Sequence, residues 1–239
     1  MRLIFFGDIH DRTSQLAGIP VPPAVDLAVL AGDITTGGAR PQARRVLDAA
    51  RACFSPVLAQ VGNMDTADVD RYLTAEGVNL HRRAHLLGDG SVGICGVGGS
   101  NRTPFHTPTE FSEQELAEYL AEAHAPIRDA AIRIVVCHAP PRDTVADRLH
   151  SGAHVGSQAV RAFVVDTQPD LLVTGHIHEG VGADNIGRTV VINPGAFAHG
   201  GYVDVHVDGH SWQAALRIAG ETAEPRWITA MRDERPSHQ

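Results

Sequence analysis

Seven polar residues of metal-binding types stand directly after short apolar runs in this sequence. They are Asp8 and His10 after Leu3–Phe6, Asp33 after Leu27–Ala31, Asn63 after Val57–Val61, His138 after Ile132–Cys137, and His176 and His178 after Leu171–Thr174. Residues i and i+2 of an extended chain face the same side. Asp8 and His10 can therefore face one centre together, and so can His176 and His178. The set contains only oxygen and nitrogen donors, which favours first-row divalent metal ions.

The number of these ligands indicates two metal ions. Seven protein ligands are too many for one ion, whereas two ions that share a bridging carboxylate can use them all. Two ions about 3.5–4 Å apart form the clamp with which phosphatases and nucleases act on phosphate esters, and a water held between them becomes a hydroxide at neutral pH. We expect manganese first, with iron, zinc, nickel or cobalt as alternatives.

The apolar runs that precede the ligands have the length and the Val, Ile and Leu content of buried strands. Val92–Val97 and Val190–Ile192 are of the same kind. Helices are predicted at Arg40–Cys53, from the capping pair Ser112 and Glu115 to about Ala125, and at Ser157–Val165. The alternation predicts a layered α/β fold, in which ligands gather outside the carboxyl ends of the strands. Glycines before several of the ligands would let the backbone approach closely.

The last part of the sequence predicts a β-hairpin and a polar end. The runs Tyr202–Val207 and Ser211–Ile218 alternate in polarity around the turn signal Asp208–Gly209. With no internal repeat or linker in the sequence, we expect a single domain over residues 1–230 and a polar C-terminal tail over residues 231–239.

The ordered motifs resemble the signature of the calcineurin-like metallophosphoesterases. These motifs are GD-x-H, GD, GN-x-D, a strand-terminal His and GH-x-H, and they extend from Asp8 to His178. The resemblance implies a four-layer α/β/β/α sandwich of mixed sheets flanked by helices. It also implies that Asp8, His10 and His178 bind one metal, that Asn63, His138 and His176 bind the other, and that Asp33 bridges them. Asp33 and Asn63 are thereby expected to serve catalysis as well as metal binding.

One position departs from the family pattern. Many members carry His directly after the Asn, where it contacts phosphate and helps the leaving group to depart, whereas this sequence has Met64. Loss of a general acid costs about 10²–10⁴-fold in rate, and esters with good leaving groups suffer less. The departure therefore favours a phosphodiesterase over a phosphomonoesterase.

A substitute acid or phosphate-binding group is expected from two loops beside the ligands. The candidates, in order, are His154, His150 and His106, with exposed loop histidines as the alternative interpretation of each. Arg102 and Arg148 from the same loops could pair with phosphate oxygens. The remaining histidines, His81 and His124 among them, are interpreted as ordinary surface or turn residues.

Composition restricts the compartment and the partners. The three cysteines, Cys53, Cys95 and Cys137, form no C-x-x-C pair and are expected to be small buried thiols. The N-terminal MRLIFFGD resembles neither a signal peptide nor a membrane anchor, which favours a cytoplasmic protein without membrane contact. A formal net charge of −8 disfavours nucleic acid as a partner without excluding it.

The functional prediction is a dinuclear metal-dependent phosphodiesterase that hydrolyses a small-molecule or nucleotide ester. A nuclease is a second enzymatic interpretation, and salt-dependent DNA binding would support it. A non-catalytic scaffold on the same fold is the alternative from another class, although all seven ligand positions are occupied by ligand types. A symmetric homodimer is a common default that the sequence does not test.

Overall fold

The computed structural model describes residues 1–21, 23–223 and 226–229. Its strands are β1 (Arg2–Phe6), β2 (Leu27–Ala31), β3 (Val57–Gln60), β4 (Arg83–Leu87), β5 (Val92–Val97), β6 (Ser100–Asn101), β7 (Glu110–Phe111), β8 (Ile132–Cys137), β9 (Leu171–Val173), β10 (Gly182–Ile186), β11 (Thr189–Asn193), β12 (Gly201–Asp208), β13 (Ser211–Ile218) and β14 (Ile228–Thr229). Its helices are α1 (Arg40–Cys53), α2 (Ala67–Ala75), α3 (Glu113–His124) and α4 (Gln158–Thr167). The predicted tail, residues 231–239, lies outside the described residues.

Two mixed sheets form the centre of the fold. The strand order of the first sheet is β14-β13-β12-β1-β2-β3, with β1, β2 and β3 parallel and the other pairs antiparallel. The order of the second is β10-β11-β9-β8-β5-β4, with parallel pairs from β11 to β5 and antiparallel pairs at both edges. The carboxyl ends of β1, β2 and β3 therefore meet at one edge, as do those of β8 and β9.

Alternate side chains of each central strand enter different parts of the core. In β1, Leu3 and Phe5 belong to the apolar layer between the two sheets, whereas Ile4 and Phe6 pack with the residues of α1 and α2. A third cluster joins the outer face of the second sheet to α3 and α4. The expected four-layer α/β/β/α sandwich is confirmed, and burial on both faces explains why the central strands are continuous apolar runs.

The three predicted helices agree with the structure, and two of them, α3 and α4, begin at a serine cap that the sequence encodes locally. The Ser112 hydroxyl accepts a hydrogen bond from the main-chain NH of Glu115, and the Glu115 carboxylate accepts one from the NH of Ser112. Helix α4 begins after the Ser157 cap and continues to Thr167, two residues beyond the prediction. It ends at Gln168, which adopts a left-handed conformation with φ 45°.

Several local predictions need correction. The hairpin turn consists of Gly209 and His210, one residue later than predicted, since Asp208 still pairs with Ser211. Cys95 and Cys137 are buried as expected, but Cys53, the last residue of α1, is exposed, because Ala50 and the capping residue Phe54 take the core positions on either side of it. Among the described residues, no helix is both long and apolar enough to cross a bilayer.

Gln60, the last residue of β3, connects the two sheets. Its side chain is fully buried in the layer between them, and its Nε2 donates to the carbonyl oxygens of Val97 and Val136, each at 3.3 Å. These acceptors lie on β5 and β8 of the second sheet. The bonds hold the end of β3 against the strand that precedes His138.

Candidate metal centre

The seven predicted ligands converge where the two sheets meet. Asp8 and His10 follow β1, Asp33 follows β2 and Asn63 follows β3, so that four ligands come from the first sheet. The other three, His138, His176 and His178, follow β8 and β9 of the second sheet. Four of the seven are less than 5% exposed: Asp8, Asp33, Asn63 and His138. Their charged and polar atoms therefore have little contact with solvent.

One half of the cluster consists of Asp8, His10 and His178. The Nε2 atom of His178 lies 3.2 Å from Asp8 Oδ1 and 3.3 Å from the Nε2 atom of His10. The Nε2 atom of His10 is 3.6 Å from Asp33 Oδ2. Ligand atoms from residues that follow β1, β2 and β9 thus surround one small volume.

The other half consists of Asn63, His138 and His176. The amide oxygen of Asn63 lies 3.2 Å from His138 Nε2 and 2.7 Å from His176 Nδ1. The same His138 nitrogen is 3.6 Å from Asp33 Oδ1. One Asp33 oxygen therefore faces each half of the cluster.

The donor set fits divalent metal ions. The ligand atoms of Asp8, His10 and His178 all lie within 4.8 Å of one another, and those of Asp8, Asp33 and His138 form a second such group. Buried carboxylates need compensating positive charge, and imidazole with carboxylate suits first-row ions. Asp8 belongs to both of these groups. Asp33 contacts a histidine in each half of the cluster.

Partners behind the ligands fix which atom of each faces the centre. The Nδ1 atom of His138 is 3.0 Å from the carbonyl oxygen of Ala31, to which it donates, so its Nε2 is left for the centre. The Nδ1 atom of His10 likewise contacts the Thr36 hydroxyl at 3.2 Å. Such contacts set the tautomer and the orientation of a ligating ring.

The carboxylates and the rings shift one another's acidity. Burial alone would raise the pKa of Asp8, but the hydrogen bond with His178 and the neighbouring rings lower it to about 2. Burial opposes the charge on His138, yet the Asp33 carboxylate raises the pKa of that ring to about 9. Burial, with the nearby His138 ring, lowers the pKa of His176 to about 4. At neutral pH the cluster thus combines the ionised Asp8 carboxylate with a charged His138 ring and a neutral His176 ring.

Glycine allows the close approach of the ligand-bearing turns. A Cβ atom at Gly175 would lie 2.6 Å from Asp8 Oδ2, closer than van der Waals contact permits. Gly32 adopts a φ of 108°, which side chains rarely adopt, and its position would place a Cβ against the His138 ring. The glycine–ligand motifs therefore reflect packing between the two sheets as well as turn geometry.

Asp65 organises the centre, although the sequence analysis gave this residue of the GN-x-D motif no role. Its Oδ2 accepts from the main-chain NH groups of Ile34 and Gly62 at 2.9 and 2.8 Å, and its Oδ1 accepts from Thr35 NH at 2.7 Å. Burial and the Asp33 charge raise the pKa of Asp65 to about 7. The carboxylate ties the turn after β2 to the turn after β3, which carry Asp33 and Asn63.

A cleft of about 1000 Å³ opens over the ligands. Its walls include His106 and His154, and Met64 and Arg102 also line it, whereas His150 and Arg148 are not among the described residues that do. His150 is 87% exposed and its Nδ1 contacts Glu179 at 2.7 Å. Arg142, for which no role was predicted, lines the cleft instead.

Fold and site together define a class of protein, a four-layer α/β sandwich with a carboxylate, amide and imidazole cluster at its strand ends. The family model described as calcineurin-like phosphoesterase matches residues 1–180. An uncharacterised protein of Methanocaldococcus jannaschii is 33% identical over 205 residues, which are 81% of this chain and 88% of the relative. The chain belongs to the calcineurin-like phosphoesterase family.

Solved structures share the fold. The protein TT1561 of Thermus thermophilus matches with a TM-score of 0.66 at 18% identity, covering 90% of this chain and 98% of its own. The phosphopantetheinyl hydrolase of Mycobacterium tuberculosis matches with a TM-score of 0.57 at 15% identity, covering 81% and 88%. Family membership implies metal-dependent hydrolysis of phosphate esters, and members typically bind two divalent metal ions.

Proposed function

We propose that this protein is a dinuclear metal-dependent phosphodiesterase acting on a small-molecule or nucleotide ester. The observation that carries the proposal is Asp33, whose two oxygens face the two halves of the ligand cluster, each 3.6 Å from a histidine nitrogen. In this assignment Asp8, His10 and His178 hold one ion, and Asn63, His138 and His176 hold the other. Manganese is the ion we propose first.

The bound ions would supply Lewis acidity, which lowers the pKa of water and neutralises charge on phosphate oxygens. The chain itself supplies the geometry. Arg102 and Arg142 line the cleft and can donate to the non-bridging oxygens of the ester. Asp33 is held in place by the main-chain NH of Met64, which donates to its Oδ1 at 2.7 Å.

Met64 supports the preference for diesters. Its side chain lines the cleft beside Asn63, and a thioether has no proton to give to a leaving group. A phosphomonoester carries more negative charge than a diester and gains more from a cationic histidine at this position. We therefore propose that diesters are the better substrates.

The test pairs metal analysis with two substrates. Purified protein is assayed on bis-p-nitrophenyl phosphate and on p-nitrophenyl phosphate, with and without Mn²⁺, beside Asp33→Ala and the control Asp129→Ala. Asp129 is 90% exposed, so its loss should leave the cluster intact. We expect two ions per chain and faster diester hydrolysis in the wild type and the control, and neither in Asp33→Ala.

Each failure has a separate meaning in this test. Full metal content in Asp33→Ala would remove Asp33 from its bridging role. A strong preference for the monoester would reject the diesterase while leaving the metal centre. No bound metal and no hydrolysis with any divalent ion would reject enzymatic function and indicate a scaffold.

A further inference from the structure

Asp147 is a buried carboxylate that the proposed function does not use. It follows ligand His138 by nine residues, in the segment between β8 and α4, and it is 0% exposed. Its Oδ1 accepts from Thr144 NH at 2.9 Å, and its Oδ2 accepts from Gly156 NH at 2.9 Å and Asp143 NH at 3.2 Å. A carboxylate held by three main-chain donors is fixed in position.

The fourth partner of Asp147 is His154. The Nδ1 atom of His154 lies 2.6 Å from Asp147 Oδ1, the distance of a strong charge-assisted hydrogen bond. Because Asp147 Oδ1 acts as an acceptor and also accepts from Thr144 NH, Nδ1 of His154 carries the proton and Nε2 is the ring nitrogen left for another partner. The ring is 32% exposed and lines the cleft together with His10, His176 and His178.

The loop between the two residues is built to hold them together. Arg148 and His154 form an antiparallel bridge, and Leu149 NH donates to the carbonyl of Ala153 at 2.9 Å. A Cβ atom at Gly156 would lie 2.6 Å from the carbonyl oxygen of Pro140 and 2.7 Å from the Cβ of Asp147. The backbone after His154 therefore packs directly against Asp147, and the pair does not depend on a mobile side chain.

The other two candidate acids lack this arrangement. His150 is not among the described residues that line the cleft, and its carboxylate partner, Glu179, is 37% exposed. His106 lines the cleft, but it stands on an exposed loop, and no carboxylate of the described residues pairs with its ring. Of the three candidate acids, His154 alone combines a place in the cleft wall with a buried carboxylate behind its ring.

We propose that His154 is the leaving-group acid of this enzyme and that Asp147 is its positioning residue. The inference rests on the proposed phosphoesterase function and supplies the proton that Met64 cannot. Asp147 would keep the proton-donating nitrogen of His154 turned to the substrate and stabilise the imidazolium, as an aspartate does behind a catalytic histidine.

The chemical step balances without a further reactant. A water-derived hydroxide forms the new oxygen–phosphorus bond, and the bond between phosphorus and the leaving oxygen breaks. Its electron pair stays on the leaving oxygen, which takes the proton from His154 Nε2 and departs as an alcohol. The acid is the imidazolium form of His154, and it becomes neutral in this step. The next water to enter gives its proton to Nε2 of the neutral ring and becomes the hydroxide, which restores the acid.

The first test is a series of esters of the class that the wild type hydrolyses, with leaving groups of decreasing acidity. Activated p-nitrophenyl esters need little protonation, whereas alkyl esters need it fully. We expect His154→Gln and Asp147→Asn to lose about 10²–10⁴-fold in kcat on the poorest leaving groups and no more than several-fold on p-nitrophenyl esters. His210→Gln, in the exposed turn between β12 and β13, is the matched control.

A second readout needs neither metal nor substrate. ¹⁵N NMR of the histidine rings in metal-free protein should show His154 protonated on Nδ1, and Asp147→Asn should shift the ring toward the Nε2-protonated tautomer. A uniform loss on all esters, or a neutral His154 ring in the wild type that carries its proton on Nε2 alone, would overturn the pair. If the wild type hydrolyses no ester at all, the proposed function fails first and the pair with it. Should Asp147→Asn not fold, His154→Gln decides alone.

Discussion

At the scale of single residues, four of the seven candidate ligands have strained backbone conformations. Asp8, His10, Asp33 and His176 have φ values of 51°, 47°, 47° and 68°, in the left-handed region that non-glycine residues rarely adopt. Each such residue costs of order 1–3 kcal/mol and persists only where its surroundings impose it. The hydrogen bonds of Asp65 and the packing of Gly32 and Gly175 are the imposing surroundings here.

The orientation of the Asn63 amide depends on Thr107. Asn63 Nδ2 donates to the Thr107 hydroxyl at 3.0 Å, and that hydroxyl donates to Glu110 Oε1 at 2.6 Å. The chain of bonds leaves the amide oxygen of Asn63 for His138 and His176. Asn63 is thereby fixed by the loop that also carries His106.

We expect Thr107→Val to weaken, by about 10–100-fold, binding of the ion that Asn63, His138 and His176 are proposed to hold. This is the usual effect of removing a hydrogen-bond partner behind a metal ligand. Thr103→Val is the matched control, because the Thr103 hydroxyl also donates to Glu110 Oε1 at 2.6 Å but does not contact Asn63. Calorimetric titration of metal-free protein with Mn²⁺ measures both. Equal affinities in the two variants would show that Thr107 supports only the loop.

The sequence predicted the ligands better than it predicted their supports. Asp8, Asp33, Asn63 and the histidines stand next to strand ends, so chain order alone indicates that they meet. Asp147 and Thr107 act across seven and forty-four residues of chain through loops whose shape is set by tertiary contacts. No periodicity marks such residues, and Asp147 differs in sequence from an ordinary loop acid only by its proximity to His138.

At the scale of elements, burial on two faces decided which strands could be predicted. β5 and β8 are fully buried and were predicted to the residue. β4 and β10 are edge strands of the second sheet, with exposed and partly buried positions intermixed, and they were not predicted. Their pairing depends on the neighbouring strand more than on their own apolar content.

His81, expected at the surface, instead packs against Phe111 of β7 and Tyr119 of α3. Its ring is stacked on Phe111 at 5.7 Å between centroids, and its Nδ1 accepts a hydrogen bond from Gly98 NH at 2.9 Å. Burial, with the nearby Arg82 and Arg83 charges, lowers the pKa of His81 from 6.5 to about 4. A proton on Nδ1 would also break the bond with Gly98.

The neutral His81 ring should make stability depend on pH. Because the unfolded chain binds this proton near pH 6.5 and the folded chain only near pH 4, the contribution is complete above about 6.5 and is lost as pH falls toward about 4. We expect the unfolding free energy of His81→Gln to change less than that of the wild type between pH 7 and 5. Urea denaturation of the metal-free proteins measures this difference, and parallel pH profiles would contradict the assignment.

At the scale of the whole molecule, the candidate metal centre joins the two sheets. Four ligands follow strands of the first sheet and three follow strands of the second, so bound ions would cross-link both halves of the sandwich. A ligand that binds only the folded state stabilises it by an amount that grows with its concentration. Metal binding and folding are therefore expected to be linked.

We expect Mn²⁺ at 100 times its dissociation constant to raise the unfolding free energy by about 2.7 kcal/mol for each ion bound. Thermal unfolding should shift upward by about 2–4 °C for each kcal/mol, and a chelator should reverse the shift. Asp33→Ala should lose this response and Asp129→Ala should keep it. If Mn²⁺ does not change the melting temperature of the wild type, the result would contradict a metal centre shared by both sheets.

Gln60 gives the sandwich a mechanical property. Its two hydrogen bonds cross the apolar layer close to the ends of the strands that precede Asn63 and His138. Breaking a buried hydrogen bond costs about 1–3 kcal/mol for each group left unpaired. Shear of one sheet over the other would break both bonds at once and pull the two sets of ligands out of register. We therefore expect substrate to enter and product to leave past the loop around residues 101–109, while the two sheets keep their register.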